Sequence, residues 1–179
     1  MPDELQIRKS TRHQKIIGDF GERVVSNWLS RSGFEVAVVD HTGIDVVAFN
    51  PATGDRLGIT VKARTRRRGQ ENSSVNLFDY RRGKDDRRAT MAACAAFACR
   101  PWIAVYVETA GEADLYLTSL ENYDWKYRRR IDRKVDDWKM TQKDRDAYAS
   151  DPAVKHVHLA FEARNWDVVS LPRRTRKEG

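Results

Sequence analysis

Apolar residues recur at helical spacing through Ile16, Ile17, Phe20, Val24, Val25, Trp28 and Leu29. That period belongs to a helix burying one stripe. It predicts a helix over residues 11–32, stopped by Gly33, a residue suited to the left-handed turn at a helix end. The pattern then changes. Residues 34–40 (FEVAVVD) read as a buried strand, 43–50 (GIDVVAFN) as a second and 56–66 (RLGITVKARTR) as a third. Between them lie turn residues, His41-Thr42-Gly43, then Asn50-Pro51 and Thr53-Gly54-Asp55. A helix followed by a three-strand meander is the expected opening.

Residues 66–83 lose periodicity and read as a mobile basic loop, with 75–80 as a short ordered piece inside it. Residues 85–100 form a small-residue helix (MAACAAFAC at its centre) suited to close packing on a sheet, and Pro101 breaks it. Residues 102–108 (WIAVYVE) are a buried strand that pairs with 114–118 (DLYLT) through the turn at 110–112. Residues 119–130 and 135–149 read as polar helices, 156–161 (HVHLAF) as an alternating edge strand, and the chain after Pro172 as disordered. The first 108 residues thus run α-β-β-β-α-β, an α/β architecture with a mixed sheet and helices on both faces. The expected division is a core over residues 1–118 and a helical and β extension over 119–179.

At 179 residues the chain suits one core with a modest extension. Its longest apolar run, residues 91–99, is far short of the roughly 18 residues a membrane span needs. The first ten residues, MPDELQIRKS, have no apolar region of the secretory type, so the expected location is the cytoplasm. Cys94 and Cys99 point to different sides of a helix and read as packing residues.

Charge changes the picture more. The formal net charge is +7, and it is unevenly placed. Residues 62–88 hold ten basic side chains against four acids, and the tail 173–179 adds four against one, whereas residues 16–61 carry three against six. Basic clusters favour polyanions through phosphate contacts and counterion release. An acidic stretch beside one suits a divalent cation, although charge runs are also ordinary solvated loops.

The candidate chemistry sits where those stretches meet. Asp45 shares a strand face with Val47 and Phe49, while Thr60, Lys62 and Arg64 share a face of the next strand. An acid and a lysine inside hydrophobic strands are costly unless paired or used. They could form a simple cross-strand ion pair, or a site together with Glu22 of the first helix, where Gly18 and Gly21 permit close approach to the sheet. His41, His156 and His158 lack metal-ligand spacing and read as structural or surface residues. Tyr123, Trp125, Tyr127, Trp138 and Tyr148 alternate with Lys and Arg. Such mixtures can stack on bases, though helical packing of aromatics is commoner.

Four stretches carry a resemblance: Gly18-Asp19-Phe20-Gly21-Glu22-Arg23 on the helix, Gly33-Phe34-Glu35-Val36, Gly43-Ile44-Asp45-Val46-Val47-Ala48, and Ile59-Thr60-Val61-Lys62-Ala63. In this order over residues 14–107 they resemble the PD-(D/E)XK nuclease superfamily, restriction-endonuclease-like proteins, and most of all the branch with archaeal Holliday-junction resolvases. The resemblance implies a restriction-endonuclease-like core and a metal-dependent endonuclease cutting DNA phosphodiester bonds, with branched or structured DNA as one substrate form. It implies Mg²⁺ or Mn²⁺ as cofactor. Asp45 becomes the central metal ligand, Glu22 the helix acid, the Val61 carbonyl a further ligand, and Lys62 the group orienting water or stabilising phosphate charge. Thr60 departs from the pattern, which has Asp, Glu or Gln there. A hydroxyl is a weak ligand for a hard cation. Asp85 or Asp86 of the following helix is a lesser substitute.

The expected nucleic-acid contacts are Arg64, Arg66, Arg67, Arg68, Arg81, Arg82 and Lys84. Nucleic acid, DNA first, is the expected partner, no membrane is involved, and a homodimer is allowed for. The alternatives are the same fold with an impaired site acting as a nucleic-acid-binding module, and a protein-interaction subunit whose charged C-terminal part docks a partner.

Overall fold

A computed structural model describes residues 7, 9–129 and 134–161, so the basic segment 173–179 and the end of the chain after Pro172 lie outside the described residues. Helix α1 (His13–Arg31) buries Ile17, Gly21, Val25 and Leu29, one residue per turn along a single stripe. Ile16 and Phe20, part of the expected apolar stripe, instead lie at its margin, 56% and 46% exposed. Strands β1 (Glu35–His41), β2 (Ile44–Phe49) and β3 (Arg56–Thr65) follow as an antiparallel meander. Strand β4 (Val75–Asp79) comes before α2 (Asp86–Ala96), after which β5 (Arg100–Glu108) returns parallel to β3. Strand β6 (Glu112–Ser119) pairs with β5, and β8 (Lys155–Ala160) pairs with β6. The six-stranded mixed sheet has the order β1-β2-β3-β5-β6-β8. The expected α-β-β-β-α-β order is present, with β4 inserted before the second helix.

Alternation along the central strands divides the core between two faces. Leu57, Ile59 and Ala63 of β3, with Ala104 and Tyr106 of β5, pack with Ile17, Val25 and Leu29 of α1. Ile103, Val105 and Val107 point the other way, towards β4, Tyr123 and Tyr148. On that second face Ile44 packs against Ala93 and Cys94 of α2. Both cysteines are free thiols, and burial pushes Cys94 up to about 11. No helix among the described residues is long and apolar enough to cross a membrane.

Two expectations change beyond β6. Residues 135–149 are not one polar helix. Strand β7 (Val135–Trp138) pairs antiparallel with β4, and the short helix α4 (Gln142–Ala149) starts only after Thr141, whose side chain caps it. The strand buries Asp136 and Trp138 while Val135 and Asp137 stay half-exposed. Asp136 is tolerated there because the Tyr80 hydroxyl donates to it at 2.6 Å and the Arg128 guanidinium pairs with it at 3.1 Å. Tertiary pairing overrides the poor strand propensity of two consecutive aspartates. Residues 119–130 give one helical turn, α3 (Leu120–Asn122), that widens into a π-helical turn at Tyr123–Tyr127, with Arg130 outside the described residues. The loop 66–83 contains β4, as the ordered piece anticipated, and its first half is fastened by Arg66, whose Nη2 donates to the carbonyls of Ser73 and Ser74 at 3.0 and 2.6 Å.

Two glycines set the geometry that matters below. A Cβ at Gly21 would stand 2.8 Å from Ala63 Cβ, so α1 rests directly on β3 at the residue before Glu22. Gly18, credited with the same role by its place in the sequence, meets nothing within 4 Å. Gly43 has φ +105°, and a Cβ there would fall 2.5 Å from the Ala89 carbonyl of α2. The Thr90 hydroxyl donates to the Gly43 carbonyl at 2.8 Å. The turn into β2, and with it Asp45, is thereby held against the first turns of α2.

Candidate active site

The β2–β3 ladder runs from Phe49↔Arg56 to Val46↔Ile59 and ends there. Asp45 is the next residue on β2. Its carboxylate replaces the lost strand partner: Oδ2 accepts the Val61 N–H at 2.6 Å and the Thr60 hydroxyl at 3.4 Å. In a strand the N–H and C=O of one residue leave from the same side. The Val61 carbonyl therefore faces the gap that Asp45 bridges. Glu22 follows Gly21, the point where α1 rests on β3, and it is near enough to feel the Asp45 charge.

Burial raises the Glu22 carboxyl above its ordinary value, and the Asp45 carboxylate raises it further, with Asp19 adding to both. Two acids have been drawn together in a partly desolvated setting, where like charges disfavour ionisation. Because the folded state holds the Glu22 proton more tightly than the unfolded chain, ionising Glu22 costs stability as pH rises through the glutamate range. Glu22→Gln is expected to melt at a higher temperature than wild type in chelator at about pH 8, the gap closing by about pH 4. A constant offset across that series of melts would show that the carboxylate is not under electrostatic pressure.

Lys62 is half-buried on the same face of β3 as Thr60, whose hydroxyl Asp45 engages. Among the described residues Lys62 makes no hydrogen bond or ion pair, so the simple Asp45–Lys62 cross-strand pair is not formed. Thr60 is 3% exposed and directed at Asp45. Asp85 and Asp86 do not fill the place of a third acid. Asp85 caps α2 by accepting the Arg88 N–H at 2.9 Å, and Asp86 accepts the Asp79 N–H at 3.1 Å. Among the described residues no group of three or more His, Cys, Asp and Glu side chains is arranged around a metal position.

The structure is similar to that of Hjc, a Holliday junction resolvase from the archaeal hyperthermophile Archaeoglobus fulgidus, with TM-score 0.48 and 19% identity, over 68% of this chain and 83% of that one. No protein-family profile and no curated protein matches the sequence.

The basic residues around the site differ in exposure and in the contacts they make. Arg64 Nη1 donates to the neighbouring Ala63 carbonyl at 2.7 Å. Arg66 is the loop fastener described above, and burial lowers its guanidinium. Arg81 makes a two-pronged pair with Asp79 at 2.8 and 2.9 Å. Arg67, Arg68, Arg82 and Lys84 are exposed. Lys9 and His13, which the sequence did not single out, join this region. The Lys9 ammonium donates to the Thr65 carbonyl, and His13 Nε2 lies 2.7 Å from Thr65 Oγ1. Burial, then Arg67 and Arg66, lower the Lys9 ammonium. Glu108, which accepts the Thr65 hydroxyl at 2.7 Å and lies 3.9 Å from His13 Nε2, is the anion among these cations at the end of β3. In the sequence Lys9 and His13 stand in a basic stretch ahead of the apolar stripe, with Arg8, Arg12 and Lys15, and nothing there links them to β3.

Proposed function

We propose that the chain is a divalent-metal-dependent endonuclease acting on DNA phosphodiester bonds, with branched or structured DNA among its substrates. One observation carries the reading: the Asp45 carboxylate is fixed by the Val61 N–H at 2.6 Å where β2 leaves β3, and its charge reaches Glu22 of α1. The donor set suits Mg²⁺ or Mn²⁺. Two carboxylates and the Val61 carbonyl are hard oxygen ligands, and of the causes that raise Glu22, burial first and the Asp45 charge second, a divalent cation relieves the second. When bound, such a cation supplies Lewis-acid charge at a phosphodiester. The chain's own groups do the remainder. The Val61 N–H orients the Asp45 carboxylate, Lys62 offers an uncommitted ammonium to a phosphate oxygen, and Arg67, Arg82 and Lys84 extend positive charge along a backbone path.

A second reading, a binding module on the same fold, draws on Thr60. Its hydroxyl is buried against Asp45 where the resemblance leads one to expect a third ligand. Cleavage of plasmid and branched DNA in Mg²⁺ and in Mn²⁺, each against chelator, separates the two. Metal-dependent nicking is the expected result. Tight binding with no product in either metal leaves the binding module, and no binding at all removes both. Duplex affinity should fall with salt at a slope near −0.9 in log K per log salt for each phosphate neutralised.

A further inference from the structure

The aromatic residues of the C-terminal part separate cleanly. Tyr123, Trp138 and Tyr148 are buried in one cluster, with Tyr127 packed against it. Trp125, between two of them, is 84% exposed. It projects from the π-helical turn Tyr123–Tyr127, a local widening often found at functional sites. The turn is pinned on both sides of it. The Tyr123 hydroxyl donates to the Asp137 carbonyl at 3.0 Å, Lys126 Nζ donates to Asp151 at 2.9 Å, and the Tyr127 hydroxyl donates to Asp151 at 2.6 Å. A large aromatic face is thus held outward on a fixed backbone.

That face borders a groove of about 680 Å³ lined by Arg87, Met91, Pro101, Leu120, Asp124 and Trp125 among others. Its wall holds an Arg87–Asp124 ion pair made through Nη2 and Oδ2. Arg87 Nη1 and Asp124 Oδ1 are closed off from solvent and make no hydrogen bond, with Arg128 Nη1 3.9 Å from that oxygen. The rest of the pair is accessible, the Arg87 side chain at 19% and Asp124 at 33%, so the wall offers N–H donors beside a carboxylate acceptor to a ligand presenting both an acceptor and a donor. Met91, 46% exposed, supplies a second apolar contact. Helix α2 is shared by the groove and the strand that carries Asp45: Thr90, beside Met91 and one turn from Arg87, donates to the Gly43 carbonyl at the turn into that strand.

We propose that this groove takes an unpaired nucleobase, stacked on Trp125 with its polar edge towards Arg87 and Asp124, so that the protein favours DNA with an unpaired or displaced nucleotide. Base edges carry adjacent donors and acceptors, and every base has a face to stack. A wholly apolar groove would suit a hydrophobic peptide; the charged wall does not. The inference rests on the DNA reading above and specifies the substrate feature.

The test is equilibrium binding, in chelator, of a fluorescent single-stranded oligonucleotide and of a fully paired duplex of the same length. Trp125→Ala is expected to weaken the single strand about tenfold, in line with stacking measured elsewhere by alanine substitution, and the duplex by less than about twofold. Trp125→Phe should retain most of the single-strand affinity. The residue is exposed, so the fold tolerates both changes. Equal losses on both substrates, or none on either, overturn the proposal. So does a wild-type dimer that light scattering shows becoming monomeric in Trp125→Ala, which would make the patch a protein contact. Metal-dependent cleavage of duplex by wild type, scored separately, shows whether the endonuclease reading stands when the groove reading falls.

Discussion

Asp45→Asn is expected to reduce cleavage by about a hundredfold or more, since even the outer partners of metal ligands commonly cost 10–100-fold, while duplex affinity stays within about twofold. The substitution is chosen for what it preserves. The asparagine amide oxygen can still accept the Val61 N–H that Asp45 now accepts at 2.6 Å. The end of the β2–β3 ladder therefore keeps its hydrogen bond, and the melting temperature should change little. Charge alone is removed, and with it the attraction for a divalent cation. Asp45→Ala would confuse the result, because an unpaired Val61 N–H costs about 1–3 kcal/mol and loosens the strand that carries Lys62. Duplex affinity is insulated because Asp45 repels phosphate instead of contacting it. Cleavage gels and calorimetric Mn²⁺ titration on the same two proteins check the reading. Unchanged cleavage, or equal metal affinity in both, would show that Asp45 is only a structural patch at a strand end.

The parts of this arrangement that could be read from the sequence are those that depend on period and order. The α1 stripe, the meander and the β5–β6 pair are long, strongly patterned segments whose burial dictates their form. Strand parity put Thr60 and Lys62 on one face. It did not reveal that the β2–β3 ladder stops one residue before Asp45, and that break turns a cross-strand neighbour into a carboxylate seated on a backbone amide. Register endings follow from sheet twist and from packing against α2, neither of which is local. The same limit explains residues 135–138. Asp136 fits a strand because its carboxylate accepts from Tyr80, 56 residues away, and pairs with Arg128, contacts that the local pattern does not show. Arg66 shows the limit for charge: a run of three arginines reads as one basic patch, yet the first is directed into its own loop. Spacing also made Gly18 and Gly21 equivalent, and only contact with Ala63 separates them.

Thr60→Glu should make the protein less stable without metal and more responsive to it. Thr60 is 3% exposed and its hydroxyl is 3.4 Å from Asp45. A carboxylate in its place adds a third acid beside Asp45 and near Glu22, whose carboxyl burial and then the Asp45 charge already raise. In chelator the added buried charge has no partner, and a drop in melting temperature of roughly 5 °C or more is expected for a chain of this size. Saturating Mn²⁺ should restore most of that loss, since a cation that binds only the folded form stabilises it by mass action. Metal affinity should rise about tenfold or more, the equivalent of only about 1.4 kcal/mol from one further anionic ligand. Cleavage should rise with it. Thr60→Gln separates charge from size: it crowds the same space without the third negative charge, so its melting temperature in chelator should fall less and its rescue by Mn²⁺ should be smaller. If Glu and Gln behave alike, the losses come from overpacking beside Asp45 and not from an acidic cluster awaiting a cation. If Thr60→Glu gains no metal affinity and binds duplex more weakly than wild type, the gap between β2 and β3 holds no cation, and the fold serves DNA binding alone.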